Sequence, residues 1–196
     1  VYLIVGLGNP GKQYRETRHN IGFQVISLWS RGLEVRLSHR RFGGLHTTAR
    51  FQGKKLILLC PLTYMNESGR SVRQVADYYG LKIGNLLVVH DDIDLPVGRI
   101  KVAPDGGAGG HKGVASIIQH LGDSNFPRVK IGAGRPRYLE TVEDYVLSPF
   151  YGDQKDTMEK VIHLAVRACE LFVSEGIQPA MTHINCQNLA DKEERS

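Results

Sequence analysis

Three short apolar runs constrain this chain more than any other feature. Residues 2–6 (YLIVG), 55–60 (KLILLC) and 86–90 (LLVVH) are rich in β-formers, and each stops at glycine, proline or a polar cluster. Runs of this kind read as buried strands. The segments between them carry apolar residues at helical spacing. Residues 20–31 place Ile21, Val25, Leu28 and Trp29 on one stripe before Gly32, and a second stripe of Val72, Val75, Ala76 and Tyr79 runs to Gly80. Parallel strands need crossover helices, so the alternation predicts an α/β fold: a single-domain three-layer sandwich, its twisted mixed, mostly parallel sheet flanked by helices.

The remaining elements fit this frame. Residues 45–51 and 55–60 flank a Gln52-Gly53 turn and predict a hairpin. Residues 98–103 alternate as an edge strand with Arg99 and Lys101 on one face, and residues 128–132 do the same with Arg128 and Lys130. A glycine-rich loop over 105–113 leads into a helix through Ile117, Ile118 and Leu121. The longest helix spans 154–174, and a short one is expected at 179–182. The domain is expected to cover 1–190 and the polar 191–196 (DKEERS) to be a mobile tail.

At 196 residues, with 41% hydrophobic and 23% charged residues, the chain can bury a core without a staple, which excludes collagen-like, disordered and disulfide-scaffold classes. Cys60, Cys169 and Cys186 have neither finger nor CxxC spacing, so no zinc site is expected and a reducing compartment is the default. No apolar run is long enough to span a bilayer. The chain begins at Val1, which leaves a removed initiator or leader open. A net charge of +5 is compatible with a polyanionic partner.

In a sheet of this kind the site lies beyond the carboxyl ends of the parallel strands. Polar groups gather there three times: Asn9, then Thr63-Tyr64-Met65-Asn66, then His90-Asp91-Asp92-Ile93-Asp94. Each has a bland reading, as a turn residue, a helix cap or an acceptor for loop amides. Their coincidence on one edge favours function. His19 stands at the entrance of the first helix, where the positive end of the helix dipole favours a neutral, basic ring. Asp91 is a candidate to hold its tautomer. With no serine or cysteine in a nucleophile setting, activated water is the simpler chemistry. Gly6-Leu7-Gly8-Asn9-Pro10-Gly11 satisfies a dinucleotide glycine pattern only formally, because the helix opens too late to hold a pyrophosphate. Asp91, Asp92 and Asp94 lack a calcium-loop pattern, so no metal is expected. The glycine-rich loop suits an anion cradle, a lid, or both. Arg40, Arg41, Arg135 and Arg137 are placed in loops, and a polyanion track depends on the basic pairs sharing a surface.

These residues resemble the bacterial-type peptidyl-tRNA hydrolases. The likeness is carried in order by residues 6–11, Tyr14, Thr17-Arg18-His19-Asn20, Thr63-Tyr64-Met65-Asn66, Ser68-Gly69, residues 90–96, Gly109-Gly110-His111 with Gly113, and residues 144–148, and it runs from residue 2 to about 183. It implies an enzyme that cleaves the ester between a peptide and the 3′-terminal ribose of tRNA, as a monomer, without metal or organic cofactor. The setting is the cytoplasm, or an organelle after removal of a targeting segment. On the family pattern His19 is the general base for water and Asp91 orients it. Asn9, Tyr14, Tyr64, Met65, Asn66, His111 and Lys112 line the substrate, and Arg128, Lys130, Arg99 and Lys101 contact tRNA. Lys112 stands where the family usually has Asn, and Ala103 where some members carry a basic residue. The same resemblance extends to relatives that act as organellar group II intron splicing factors, which are the alternative reading. A dinucleotide-dependent oxidoreductase is a more distant one.

Overall fold

The computed structural model describes residues 1–189; the expected polar tail lies outside them. The strands are β1 (Tyr2–Gly6), β2 (His39–Arg41), β3 (Gly44–Phe51), β4 (Lys54–Pro61), β5 (Leu86–Asp92), β6 (Ile100–Ala103) and β7 (Arg128–Gly132). They form one sheet in the order β2-β3-β4-β1-β5-β7-β6. β4, β1, β5 and β7 are parallel neighbours, while β3 and β6 run the other way. The helices are α1 (Ile21–Gly32), α2 (Ser68–Tyr79), α3 (Lys112–Leu121), α4 (Val142–Val146), α5 (Lys155–Glu175) and α6 (Ile177–Asn185). Among the described residues, no helix is long and apolar enough to cross a membrane.

Both faces of β4, β1 and β5 are covered, which is why these strands read as unbroken apolar runs. Ile4, Leu58, Leu87 and Val89 pack with α1 and α5, while Leu3, Val5, Leu59 and Val88 pack with α2 and α3. Each such side chain, removed from water, contributes roughly 1.5–3 kcal/mol before the entropy of ordering is set against it. The fit of α1 is especially close. A Cβ at Gly22 would lie 2.4 Å from the Leu7 nitrogen and 2.5 Å from the Val89 oxygen, so only glycine lets this helix rest on strand backbone. That contact sets the start of α1, and the residues just before it, at the carboxyl ends of β1 and β5.

The structure corrects several sequence expectations. Arg40 and Arg41 lie on an edge strand, not in a loop, because β2 has no apolar alternation to announce it. β6 begins at Ile100 and not at Gly98, so Arg99 lies just before it, and its Nη1 donates to the Gln187 carbonyl at 3.1 Å. The short helix near 179–182 extends over Ile177–Asn185. α4 had no predicted counterpart, although the Thr141 hydroxyl accepts the Asp144 amide at 3.1 Å, a capping pattern visible in Thr141-Val142-Glu143-Asp144. After β1 the chain makes a 3₁₀ turn over Lys12–Tyr14, and α1 opens only at Ile21, so no helix N-terminus meets the glycine pattern of a dinucleotide site.

Candidate active site

The polar loops after β1, β4 and β5 converge on one cleft of about 780 Å³. Asn9, Tyr14, His19, Tyr64, Met65, Asn66, Asp91, His111 and Lys112 all line it, so the residues expected at the catalytic and substrate positions share one site.

His19 lies in a 3₁₀ turn, Arg18–Asn20, that feeds into α1. Its Nδ1 is 2.8 Å from Asp91 Oδ1, at the end of β5. Burial resists ionisation of Asp91. The charge interactions and hydrogen bonds of His111 and His19 outweigh that penalty and hold the carboxyl far below its ordinary range. A carboxylate can only accept, so His19 Nδ1 carries the proton and Nε2 keeps its lone pair toward the cleft. Alternation along β5 sends Asp92 the other way, to Lys130 Nζ at 3.1 Å. His90 is buried and its Nδ1 lies 2.7 Å from the Asp91 carbonyl; burial lowers its pKa to about 3, so it is a neutral ring behind the site.

The backbone orients the amides. Asn9 Oδ1 accepts the Met65 N–H at 2.9 Å, which turns its Nδ2 donor away from that bond, and Asn20 brackets the Asn9 backbone at 2.8 and 3.0 Å. Asn9 is therefore more than a turn residue before Pro10. Asn66 sits in the 3₁₀ turn Met65–Glu67, and α2 begins after it without a side-chain cap, so its amide is not spent on the helix start. Met65 is buried with one edge on the cleft, whereas Tyr64 is exposed at the rim.

Arg18 was not singled out as a site residue, yet it holds the opposite wall. The side chain is fully buried; its Nη1 donates to the carbonyls of Tyr145, Ser148 and Pro149 and to Ser148 Oγ, and its guanidinium lies 3.7 Å from the centre of the Tyr145 ring. One side chain thus ties the His19 turn to α4, whose Val142, Glu143 and Val146 line the cleft. That residues 17–20 and 144–148 both belong to the family likeness was the only sequence signal for it.

The basic residues divide. Lys101 and Lys130 are register partners on β6 and β7, on the sheet face opposite Ile100, Val102, Val129 and Ile131, and Lys101 is exposed. Arg128 shares that side but not its surface. It is 1% exposed, and its guanidinium donates to the carbonyls of Gly106, Gly107 and Ser124. Its position was expected to present a cation to phosphate; instead it anchors the glycine-rich loop, because that loop folds over the strand. Lys112 Nζ lies 3.3 Å from Glu143 across the cleft mouth, so the anion that a cation at a helix start needs is supplied by the protein itself.

His19, Asp91 and His111 also bring possible ligand atoms within 4.8 Å of one another, a spacing that would suit a divalent cation. The hydrogen bonds among them already engage His19 Nδ1, His111 Nε2 and Asp91 Oδ1, so an ion would have to break these contacts to bind.

A family model described as peptidyl-tRNA hydrolase matches residues 3–194. The peptidyl-tRNA hydrolase of Bacillus subtilis is 44% identical over 185 residues, covering 94% of this chain and 98% of that one. The Halalkalibacterium halodurans protein of the same name is 43% identical, with 93% and 99% covered. Among solved structures, the peptidyl-tRNA hydrolase from Acinetobacter baumannii superposes with a TM-score of 0.91 at 35% identity, covering 97% of each chain.

Proposed function

The chain belongs to the peptidyl-tRNA hydrolase family, and from that premise we propose that it hydrolyses the ester of peptidyl-tRNA with His19 as general base. The observation that carries the reading is His19 Nδ1 on the buried Asp91 carboxylate, with Nε2 left toward a cleft walled by Asn9 and Asn66. In the first step, a water in the cleft gives its proton to Nε2 as its oxygen attacks the ester carbonyl. Asp91 stabilises the imidazolium that forms. Charge developing on the carbonyl oxygen is met by amide donors, with Asn66 and Asn9 Nδ2 as the candidates. When the tetrahedral intermediate collapses, the C–O bond to the ribose breaks and the imidazolium returns its proton to the leaving oxygen. Free peptide and tRNA result.

The RNA arm is placed over Lys101 and Lys130, with Arg99 at the margin; Tyr14, Tyr64 and Met65 border the ester. The proposal includes action as a monomer in the cytoplasm without metal. Its test is release of free tRNA from an N-acetylated aminoacyl-tRNA in EDTA. His19→Ala should lower kcat by roughly 10²- to 10⁴-fold with tRNA binding kept. Near-normal turnover by folded His19→Ala refutes the base. A chain that works only as a splicing factor would bind intron RNA and fail the assay.

A further inference from the structure

His111 spends both ring nitrogens inside the protein. It is the N-cap residue of α3, and its Nδ1 accepts the backbone N–H groups of Gly113 at 3.2 Å and Val114 at 3.3 Å. Backbone amides only donate, so Nδ1 must be the unprotonated nitrogen. The proton of the neutral ring is then on Nε2, which lies 3.0 Å from Asp91 Oδ1. That oxygen is also the one His19 Nδ1 contacts. The ring is 9% exposed and packs against both other histidines of the site, with centroids 4.7 Å from His19 and 4.8 Å from His90.

We propose that His111 is a positioning residue for the hydrolysis, locked by the start of α3 into its Nε2–H tautomer so that it shares the Asp91 oxygen with His19 and aims that carboxylate at the base. Two helix starts, in opposite layers of the sandwich, are thereby joined at one oxygen atom. The lock also directs the proton. During turnover His19 becomes imidazolium, and a proton passing through Asp91 would need a vacant nitrogen on the other side. Both nitrogens of His111 are occupied, so the proton stays on His19 for the leaving group. The titratable groups around His111 are His19 before α1, His90 and Asp91 on β5, and Lys112 with Glu143 at the rim.

The inference rests on the proposed role of His19, and the test separates the two. His111→Asn keeps an oxygen for the cap, a role Asn fills well, while its shorter side chain ends before Asp91. The expected result is a Tm near that of the unmodified chain and an unchanged KM for N-acetylated aminoacyl-tRNA. In the same variant kcat falls about ten- to a hundredfold, the scale of one hydrogen bond to a charged group. The acid limb of kcat/KM should move to lower pH, because a carboxylate no longer aimed at Nδ1 holds the imidazolium less strongly. His111→Ala, which loses the cap as well, should lower Tm by several degrees. Independently of activity, ¹⁵N spectra of the unmodified chain should show His111 protonated on Nε2 and bare on Nδ1. A His111→Asn enzyme with full kcat and an unmoved acid limb would reduce His111 to a helix cap and overturn the proposal, as would a change confined to KM or a proton found on Nδ1. Turnover surviving in His19→Ala would instead defeat the reading of the base.

Discussion

Replacing Asp91 with Asn tests the electrostatic half of the site almost without changing its shape. The amide can still accept the His19 Nδ1–H, but the charge is gone. A contact of 2.8 Å puts the imidazolium and carboxylate charge centres about 4 Å apart, and at an effective dielectric near 20 their attraction is about 4 kcal/mol. On the proposed mechanism the imidazolium exists only once His19 has taken its proton. The loss therefore falls on the transition state, and kcat should drop on the order of 10³-fold with KM little changed. An amide that turned its NH₂ toward Nδ1 would select the wrong tautomer and deepen the loss. Stability changes as well, and its sign follows from the depressed pKa of Asp91. That contribution is present above the ordinary carboxylate pKa and disappears as pH falls toward the folded value, so at pH 7 the variant forfeits it and Tm should fall. Single-turnover release of tRNA, measured well below Tm, separates the two effects. A folded Asp91→Asn protein within about fivefold of normal kcat would refute the reasoning, since a charge in contact with the base would then contribute less than about 1 kcal/mol to the transition state.

Four further outcomes follow from the surroundings of the cleft. Lys101→Ala with Lys130→Ala should raise KM for full tRNA substrates and flatten their salt dependence while sparing small N-blocked adenosine esters; Arg128→Ala should instead lower Tm and slow both substrates, because it frees the carbonyls of the glycine-rich loop. Arg18→Leu, which strips buried donors from three carbonyls, should cost about 2–4 kcal/mol in urea unfolding, and a change below about 1 kcal/mol would contradict the anchoring role. Lys112→Ala breaks an exposed pair and should change Tm very little; an unchanged KM and salt slope would then show that Lys112 meets Glu143 alone and no phosphate.

Local pattern was enough for much of this molecule. The apolar runs at 2–6, 55–60 and 86–90 became β1, β4 and β5 nearly residue for residue, because a strand covered on both faces must be apolar at both parities, and that condition is written into consecutive residues. The helical stripes of α1, α2 and α5 were legible for the same reason. So was the candidate site: with parallel strands expected, Asn9, Asn66 and Asp91 fell at one sheet edge, and His19 stood beside them at a helix start. The polar strand β2 and the short α4 were not legible in this way, having too little apolar surface to impose a period.

What tertiary structure alone decided concerns partners distant in the chain. Nothing near Arg128 in sequence indicates that a loop some twenty residues earlier closes over its guanidinium, and strand alternation assigns a face without telling whether that face is covered. Arg18 finds its acceptors beyond residue 140. His111 takes its tautomer from helix amides two and three residues on, but acquires a use for the remaining proton only because the strand order brings the end of β5 between the starts of α1 and α3. Periodicity records the environment that a residue requires; the identity of the group that supplies it depends on chain crossings that no local pattern encodes.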